Sequence, residues 1–197
     1  TALVDARLTA LALGPGLGLA RARALVPDAL AARRATVLDA DALMAFEAAP
    51  ERLFEKLHAG CVLTPHAGEF ARLFPDLTEG AGSRLDAVRA AARRAGAVVL
   101  LKGPATIIAA PDGRAAIHDA LHARVAPWLA TAGAGDVLAG IITALLARGH
   151  ASMDAAAHAV WLHVEAARAA GPGLIAEDLP EALPAVLRGL AAADRPE

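Results

Sequence analysis

Gly133, Ala134, Gly135 and Asp136 precede an apolar segment, and these residue types could bind and transfer a phosphoryl group. Small residues let backbone amides converge at the start of a helix, where the helix dipole adds roughly half a positive charge. Such a turn would hold an anion, and Asp136 could accept a proton from an attacking hydroxyl. The alternative is that Asp136 only caps the helix, as aspartate commonly does. Gly-x-Gly-Asp alone is a weak motif and does not decide between these readings.

Lys102 is the second candidate, because it follows the most apolar run of a chain whose one other lysine is Lys56. A compact ammonium at the end of a strand suits a nucleotide phosphate, and the loop Gly103-Pro104-Ala105-Thr106 follows directly. The alternative is a lysine that extends along the sheet edge into solvent. The sequence has no GxxxxGK[ST] motif, which excludes a P-loop.

Further polar and glycine residues stand where other short apolar runs end. They are Gly14 to Gly18 after Leu8 to Leu13, Asp39 and Asp41 after Thr36 to Leu38, and His66 and Glu69 after Cys61 to Leu63. His66 could equally be a helix-capping or core histidine, and Gly14 to Gly18 could be only a tight turn. Because ligands bind beyond the carboxyl ends of the strands in an open α/β sheet, we expect all of these residues at one edge of one sheet.

Strands and helices alternate along the chain, which predicts a mostly parallel sheet with helices on both faces. Ala97 to Leu101 is typical of a strand covered on both sides, and Pro111-Asp112-Gly113 predicts the turn of a β-hairpin. The predicted hairpin strands are Thr106 to Ala110 and Arg114 to Ile117. The predicted helices are Leu19 to Arg34 with an interruption at Pro27, Ala42 to Ala48, Gly68 to Phe74, Ser83 to Gly96, Val137 to Arg148, Met153 to Ala170, and Leu179 to Leu190 with an internal Pro184.

Composition excludes several classes of protein. A formal charge of -2 and 3% aromatic residues argue against nucleic-acid binding. Val125 to Ala147 is apolar, but Pro127, its glycines and Asp136 favour a buried loop and helix over a membrane span. One cysteine, Cys61, and the absence of a signal peptide or zinc-ligand spacing predict a cytoplasmic protein. The length of 197 residues predicts one α/β domain, or a large fraction of one.

Five motifs, taken in order, resemble those of ADP-dependent NAD(P)H-hydrate dehydratases, which are ribokinase-like repair enzymes. The resemblance extends from about Leu8 to Leu187 and includes the C-terminal segments Ala155 to His158 and Leu174 to Leu179. The five motifs are Gly14-Pro15-Gly16-Leu17-Gly18, Val37-Leu38-Asp39-Ala40-Asp41-Ala42-Leu43, Leu63-Thr64-Pro65-His66-Ala67-Gly68-Glu69-Phe70, Leu101-Lys102-Gly103 with Thr106, and Gly133-Ala134-Gly135-Asp136-Val137-Leu138-Ala139-Gly140.

The resemblance implies a three-layer α/β/α ribokinase-like fold and the dehydration of NAD(P)H-hydrate while ADP becomes AMP and phosphate. It implies that Asp136 is the catalytic base and also contacts the substrate together with Gly16, Asp39 and His66. The implied nucleotide-binding residues are Lys102, Gly103, Pro104, Ala105, Thr106, Gly133, Ala134 and Gly135. Mg²⁺ is expected to bridge phosphate oxygens, with no protein metal cage.

Two departures from the family pattern qualify these expectations. Members usually have strands and a glycine-rich segment upstream of Gly14, so we expect residues 1–197 to be one domain that lacks its N-terminal strands. The stretch Leu121 to Trp128 carries no asparagine, although this stretch often does in the family. The alternatives are a ribokinase-like kinase of a vitamin-precursor alcohol and a non-catalytic nucleotide-binding fragment. We also expect a homo-oligomer that is fused to, or works beside, an NAD(P)H-hydrate epimerase.

Overall fold

A six-stranded sheet forms the centre of the computed structural model, which describes residue 3 and residues 5–79, 82–120 and 124–193. The strands lie side by side in the order in which they occur in the chain. The polarity expected for Leu121, His122 and Ala123 falls outside the described residues. The strands are β1 (Ala10–Leu13), β2 (Ala35–Leu38), β3 (Cys61–Leu63), β4 (Val98–Leu101), β5 (Ala105–Ala109) and β6 (Ala115–Asp119).

The first four strands are parallel, and the last two form an antiparallel hairpin on β4. All four residues of β4 are buried, as its continuous apolar run predicts for a strand covered on both faces. Thr36 pairs with Cys61, and Leu63 pairs with Val99, so the parallel strands end close to one line. That common end is the edge where the sequence places its polar residues.

Six helices cover one face of the sheet, where the larger hydrophobic core lies. In this core the ring centroid of Phe74 lies 5.1 Å from that of Phe54 and 5.0 Å from that of Phe70. The six are α1 (Leu19–Ala31), α2 (Asp41–Met44), α3 (Glu51–Phe54), α4 (Ala67–Leu73), α5 (Pro75–Glu79) and α6 (Arg84–Ala95).

Three longer helices cover the other face: α7 (Ala134–Ala147), α8 (Ser152–Ala170) and α9 (Asp178–Ala193). Leu138 and Ile142 of α7 share a core with Val37 and Val62 of the central strands. A 3-10 turn at Pro127–Leu129 precedes α7, and the Trp128 indole donates to the carbonyl of Ala167 in α8 at 2.9 Å. Helices therefore lie on both faces, and the predicted three-layer α/β/α arrangement is confirmed.

Some boundaries differ from the sequence-based expectation. Helix α1 continues through Pro27, where an interruption was predicted, because Ala22, Val26, Ala29 and Leu30 bury one continuous face that outweighs one lost hydrogen bond. Helix α2 ends at Met44 rather than Ala48, since the bonds that follow are of the tighter i to i−3 kind. The short helices α3 and α5 were not predicted.

The long helices on the second face are not membrane spans. No helix in the described part of the chain combines the length and the hydropathy that crossing a bilayer requires. The apolar stretch that includes α7 instead contributes to the core against the sheet.

Candidate functional site

The carboxyl ends of the parallel strands bring the predicted site residues together. The amide of Asp39, just after β2, donates to the carbonyl of Leu13 in β1 at 3.0 Å. The amide of Lys102, just after β4, donates to the carbonyl of Pro65 at 2.9 Å, and a β-bridge joins His66 to Lys102. The predicted common edge is therefore confirmed by backbone contacts.

Lys102 and Asp39 form an ion pair across this edge. The Lys102 Nζ atom lies 2.6 Å from Asp39 Oδ1, and the side chains are 20% and 1% exposed. A carboxylate this buried needs a cationic partner, because its hydration is lost. The pair orients the ammonium rather than leaving it free to extend into solvent.

The N-terminus of α7 lies against the same ammonium. A Cβ atom built on Gly135 would lie 3.3 Å from Lys102 Nζ, so glycine leaves the backbone of the first turn open to the charge. Gly133 has φ +84° and is the N-cap residue of α7. The alternative in which Asp136 only caps the helix is therefore wrong, since Asp136 is the third residue of the helix and is exposed.

The glycine-rich turn after β1 packs on the end of β2. Gly14 has φ +142°, and a Cβ atom there would lie 1.8 Å from the carbonyl oxygen of Asp39. Asp41 Oδ2 accepts from the amide of Gly18, the N-cap residue of α1, at 2.8 Å. Between the two aspartates Ala40 adopts φ +43°, and the carboxylates reach opposite partners, Lys102 and Gly18. Gly16 is exposed with open space around its Cα.

His66 is the N-cap residue of α4. Its Nδ1 atom accepts from the amides of Gly68 at 2.9 Å and Glu69 at 3.3 Å, and Glu69 Oε2 accepts from the amide of His66 at 2.8 Å. This reciprocal arrangement is a capping box, as in one of the two alternatives from the sequence. The ring remains 60% exposed at the sheet edge, so capping leaves it accessible to a ligand.

A cavity of about 450 Å³ opens beside Lys102 and extends between the hairpin and α8. The predicted nucleotide-binding residues Lys102, Gly103, Pro104, Thr106, Ala134 and Gly135 line it. Ala105 and Gly133 are chain neighbours of these residues but do not line the cavity. The predicted substrate-binding residues do not line it either; they are Gly16, Asp39, His66 and Asp136. The Thr106 hydroxyl donates to the carbonyl of Gly103 at 3.1 Å, which closes the loop.

Two histidines in this wall were not predicted. His118 of β6 is the cross-strand partner of Thr106, and burial lowers the pKa of its ring. His163 of α8 is 7% exposed, and burial lowers its pKa to about 4. Nε2 of His163 and both ring nitrogens of His118 have no hydrogen-bond partner in the described structure. The helical spacing of Val160, His163 and Val164 marks a buried face, but it gives no sign that this face borders a cavity.

A second cavity, of about 370 Å³, lies on the other side of the loop Lys102, Gly103 and Pro104. Its remaining wall comes from α4, α5 and α6 and includes Phe70 and Arg84. The loop after β4 therefore separates two spaces, and Lys102 borders both.

The edge combines an ammonium, an exposed helix N-terminus and an exposed carboxylate, which suits the transfer of a phosphoryl group. Within the described ranges, no three His, Cys, Asp or Glu side chains are grouped as metal ligands would be. Cys61 is a poor nucleophile, because burial raises the pKa of its thiol to about 11.

Comparison with known proteins identifies the family of this chain. A family model described as NAD(P)H-hydrate dehydratase matches residues 2–184. The bifunctional NAD(P)H-hydrate repair enzyme Nnr of Thermosynechococcus vestitus is 44% identical over 192 residues, which are 94% of this chain and 36% of that protein. The chain thus spans about a third of the length of this curated relative.

Two solved structures have the same fold. The Bacillus subtilis ADP/ATP-dependent NAD(P)H-hydrate dehydratase, co-crystallised with ATP and Mg²⁺ and soaked with CoA, aligns with a TM-score of 0.72 at 28% identity. The alignment covers 92% of this chain and 66% of that one. A ribokinase-like superfamily protein of Enterococcus faecalis aligns with a TM-score of 0.75 at 26% identity, over 92% of this chain and 63% of that one.

Proposed function

The chain belongs to the NAD(P)H-hydrate dehydratase family, and from this premise we propose that it repairs hydrated nicotinamide cofactors. The reaction is the dehydration of NADH-hydrate or NADPH-hydrate, coupled to the conversion of ADP to AMP and phosphate. The observation that carries the proposal is the placement of Lys102 against Gly135, because it joins a cation to the start of α7 at the mouth of a cavity.

The chemistry requires a phosphoryl group because hydroxide is a poor leaving group. Asp136 takes the proton of the ring hydroxyl, whose oxygen attacks the terminal phosphorus of ADP while the bond to AMP breaks. The ring nitrogen then donates its lone pair to expel phosphate, and loss of a proton from the adjacent ring carbon restores the dihydropyridine. An exposed carboxylate in the first turn of α7 is suited to this role, since the substrate can approach it.

ADP occupies the cavity of about 450 Å³ in this proposal. Its phosphates lie at the charged end, against Lys102, Gly103 and the amides of the Gly133 to Gly135 turn, with Thr106 in the neighbouring wall. Mg²⁺ would be held here through the phosphates of the nucleotide, and when bound it would neutralise phosphate charge.

The hydrate occupies the adjoining part of the edge, where Gly16, His66 and Asp136 are exposed. Asp39 acts there through Lys102 rather than by direct contact, because its carboxylate is buried and bound to the ammonium. This arrangement puts the ring hydroxyl between the carboxylate of Asp136 and the phosphates.

The test is an incubation of the protein with enzymatically prepared NADH-hydrate, ADP and Mg²⁺. The dehydratase restores the absorbance band of NADH and releases one AMP and one phosphate for each NADH. A stable phosphorylated alcohol formed from another substrate would instead identify a small-molecule kinase. Binding of ADP without turnover would identify a non-catalytic nucleotide-binding chain.

The setting of this activity is also a proposal. We infer a cytoplasmic enzyme that forms homo-oligomers and works with an epimerase, either fused or as a separate protein. The curated relatives support the epimerase, because they are called bifunctional repair enzymes. This chain spans only about a third of their length.

A further inference from the structure

The wall of the larger cavity contains a buried polar atom that has no partner. His163 is 7% exposed, it lines the cavity, and its Nε2 atom makes no hydrogen bond within the described residues. A buried polar atom without a partner costs free energy, because it has lost its hydration without replacement. The cavity is the space from which a partner could reach this ring.

The state of the ring determines what that partner must be. The backbone of Ala134 favours protonation of the ring, as a carbonyl oxygen near a ring N–H does. Burial outweighs this contact and keeps the ring neutral at pH 7, with one proton. Since Nε2 has no bond, the proton is assigned to the nitrogen that faces Ala134, and Nε2 presents a lone pair.

The wall of the cavity therefore combines two kinds of surface. Lys102 and Gly135 attract anions, whereas Val160, Val164 and Leu138, which line the same cavity as His163, are apolar. A phosphate at neutral pH offers no proton to a lone pair, so the charged part of a nucleotide does not suit the histidine. A ribose hydroxyl or an exocyclic base amine does, since each donates a hydrogen bond.

On these grounds we propose that His163 is a specificity-determining residue that accepts a hydrogen bond from the nucleoside part of the bound nucleotide. The inference rests on the proposed function, because it takes ADP as the occupant of the cavity. It also gives His163 a second effect: the ring contacts Ala134 in the first turn of α7, so its position links nucleoside recognition to the turn that holds the phosphates.

The proposal has an uncommon thermodynamic signature. Replacing an unpartnered buried polar group by an apolar one of similar volume does not destabilise a protein, whereas losing a hydrogen bond to a ligand weakens binding. His163→Leu removes the unpartnered nitrogen together with the interaction with Ala134, so it should change the Tm of the ligand-free protein little while it weakens ADP binding about tenfold. His163→Gln, which places an amide near the position of Nε2, should recover part of the affinity.

The experiment measures ADP affinity by calorimetry and Tm without ligand for the wild type and both variants. His58→Asn is the matched control: His58 Nε2 is also buried without a partner, but the ring lies outside this cavity, and Asn keeps an acceptor for the Gly60 amide. The control should leave ADP affinity unchanged. The 2′-deoxy, 3′-deoxy and 6-deamino analogues of ADP then identify the group that donates to His163. The analogue that lacks this group should bind the wild type and His163→Leu with equal affinity.

Unchanged ADP affinity in His163→Leu would overturn the proposal, as would a loss of affinity that follows a fall in the ligand-free Tm. A wild-type protein that does not bind ADP would instead overturn the proposed function itself. The two failures are distinguishable, because the first leaves wild-type binding intact.

Discussion

Lys102 and Asp39 connect two strands that are not neighbours. Their 2.6 Å contact joins the end of β4 to the end of β2 and passes over the end of β3, which lies between them. The family resemblance implies that the lysine binds the nucleotide and that the aspartate contacts the hydrate. If these proposed roles hold, one ion pair connects the two parts of the site, and a change in either residue should affect the binding of both ligands.

Removing the cation from this pair should lower the unfolding free energy more than removing both charges. Lys102→Met leaves the Asp39 carboxylate buried and unpaired, which should cost roughly 3 to 5 kcal/mol of unfolding free energy and weaken ADP binding more than hydrate binding. The double variant with Asp39→Asn should regain most of the stability but not the ADP affinity. Urea unfolding and calorimetry measure the two effects.

Lys56→Met is the control for this cycle, since Lys56 is exposed and lies outside both cavities. It should change neither quantity. If the double variant loses as much unfolding free energy as the two single variants together, the two charges do not stabilise each other.

Asp136→Asn should lower turnover by about 10²- to 10⁴-fold, the range expected when a positioned general base is lost. ADP affinity should stay within a few-fold, because the amides of the turn are unchanged. Asp154→Asn is a matched control, since Asp154 is the exposed third residue of α8 just as Asp136 is of α7. Steady-state kinetics that show equal activities for the two variants would remove Asp136 from the mechanism.

Gly14→Ala should destabilise the protein by roughly 3 to 5 kcal/mol, because the new methyl group would collide with the Asp39 carbonyl and the backbone is in a conformation unsuited to alanine. Gly16→Ala should cost only about 1 kcal/mol, since φ is +64° but the space is open. Thermal unfolding of the two variants measures the difference. Similar Tm values would mean that the turn moves freely away from β2.

Stability should decrease as the pH falls from about 6.5 to about 4. The pKa of His163 drops from its ordinary value of 6.5 to about 4 on folding, so the unfolded chain binds the proton first in this range. The group contributes roughly 3 kcal/mol, fully present above pH 6.5 and lost as the pH approaches 4. His58 and His118 add to the same trend, because burial also lowers their pKa values.

Urea unfolding at several pH values compares the wild type with His163→Leu. The variant should have a shallower dependence on pH across this window. An equal slope in the two proteins would show that His163 titrates normally in the folded state.

Local sequence patterns were sufficient to predict much of the fold. The predicted helix from Ser83 to Gly96 is confirmed: in the structure Ser83 accepts from the Asp86 amide as the N-cap residue, and Gly96 ends the helix with φ +62°. Both ends of this helix depend on residues that are close together in the chain. The continuation of α1 through Pro27 was not predictable in this way, because it depends on packing against the sheet.

The candidate site was predictable in its location but not in its contacts. Gly14, Asp39, His66 and Lys102 follow strands, so a parallel sheet must bring them to one edge. The pairing of Asp39 with Lys102 depends on strand order, which no local pattern encodes. His163 lies in the middle of a long helix, and its proposed role depends on the cavity between α8 and the hairpin, which no local pattern predicts.

The sequential order of the strands has a consequence for how the molecule assembles. Each strand from β2 to β6 adds to the one made just before it, so the sheet can grow in the direction of synthesis with short loop closures. Helix α7 is different, because it follows β6 in the chain and yet packs on β1 and β2. Its first turn reaches Lys102 only after this return, so the contact between Lys102 and the first turn of α7 forms late in folding, once the last third of the polypeptide has docked.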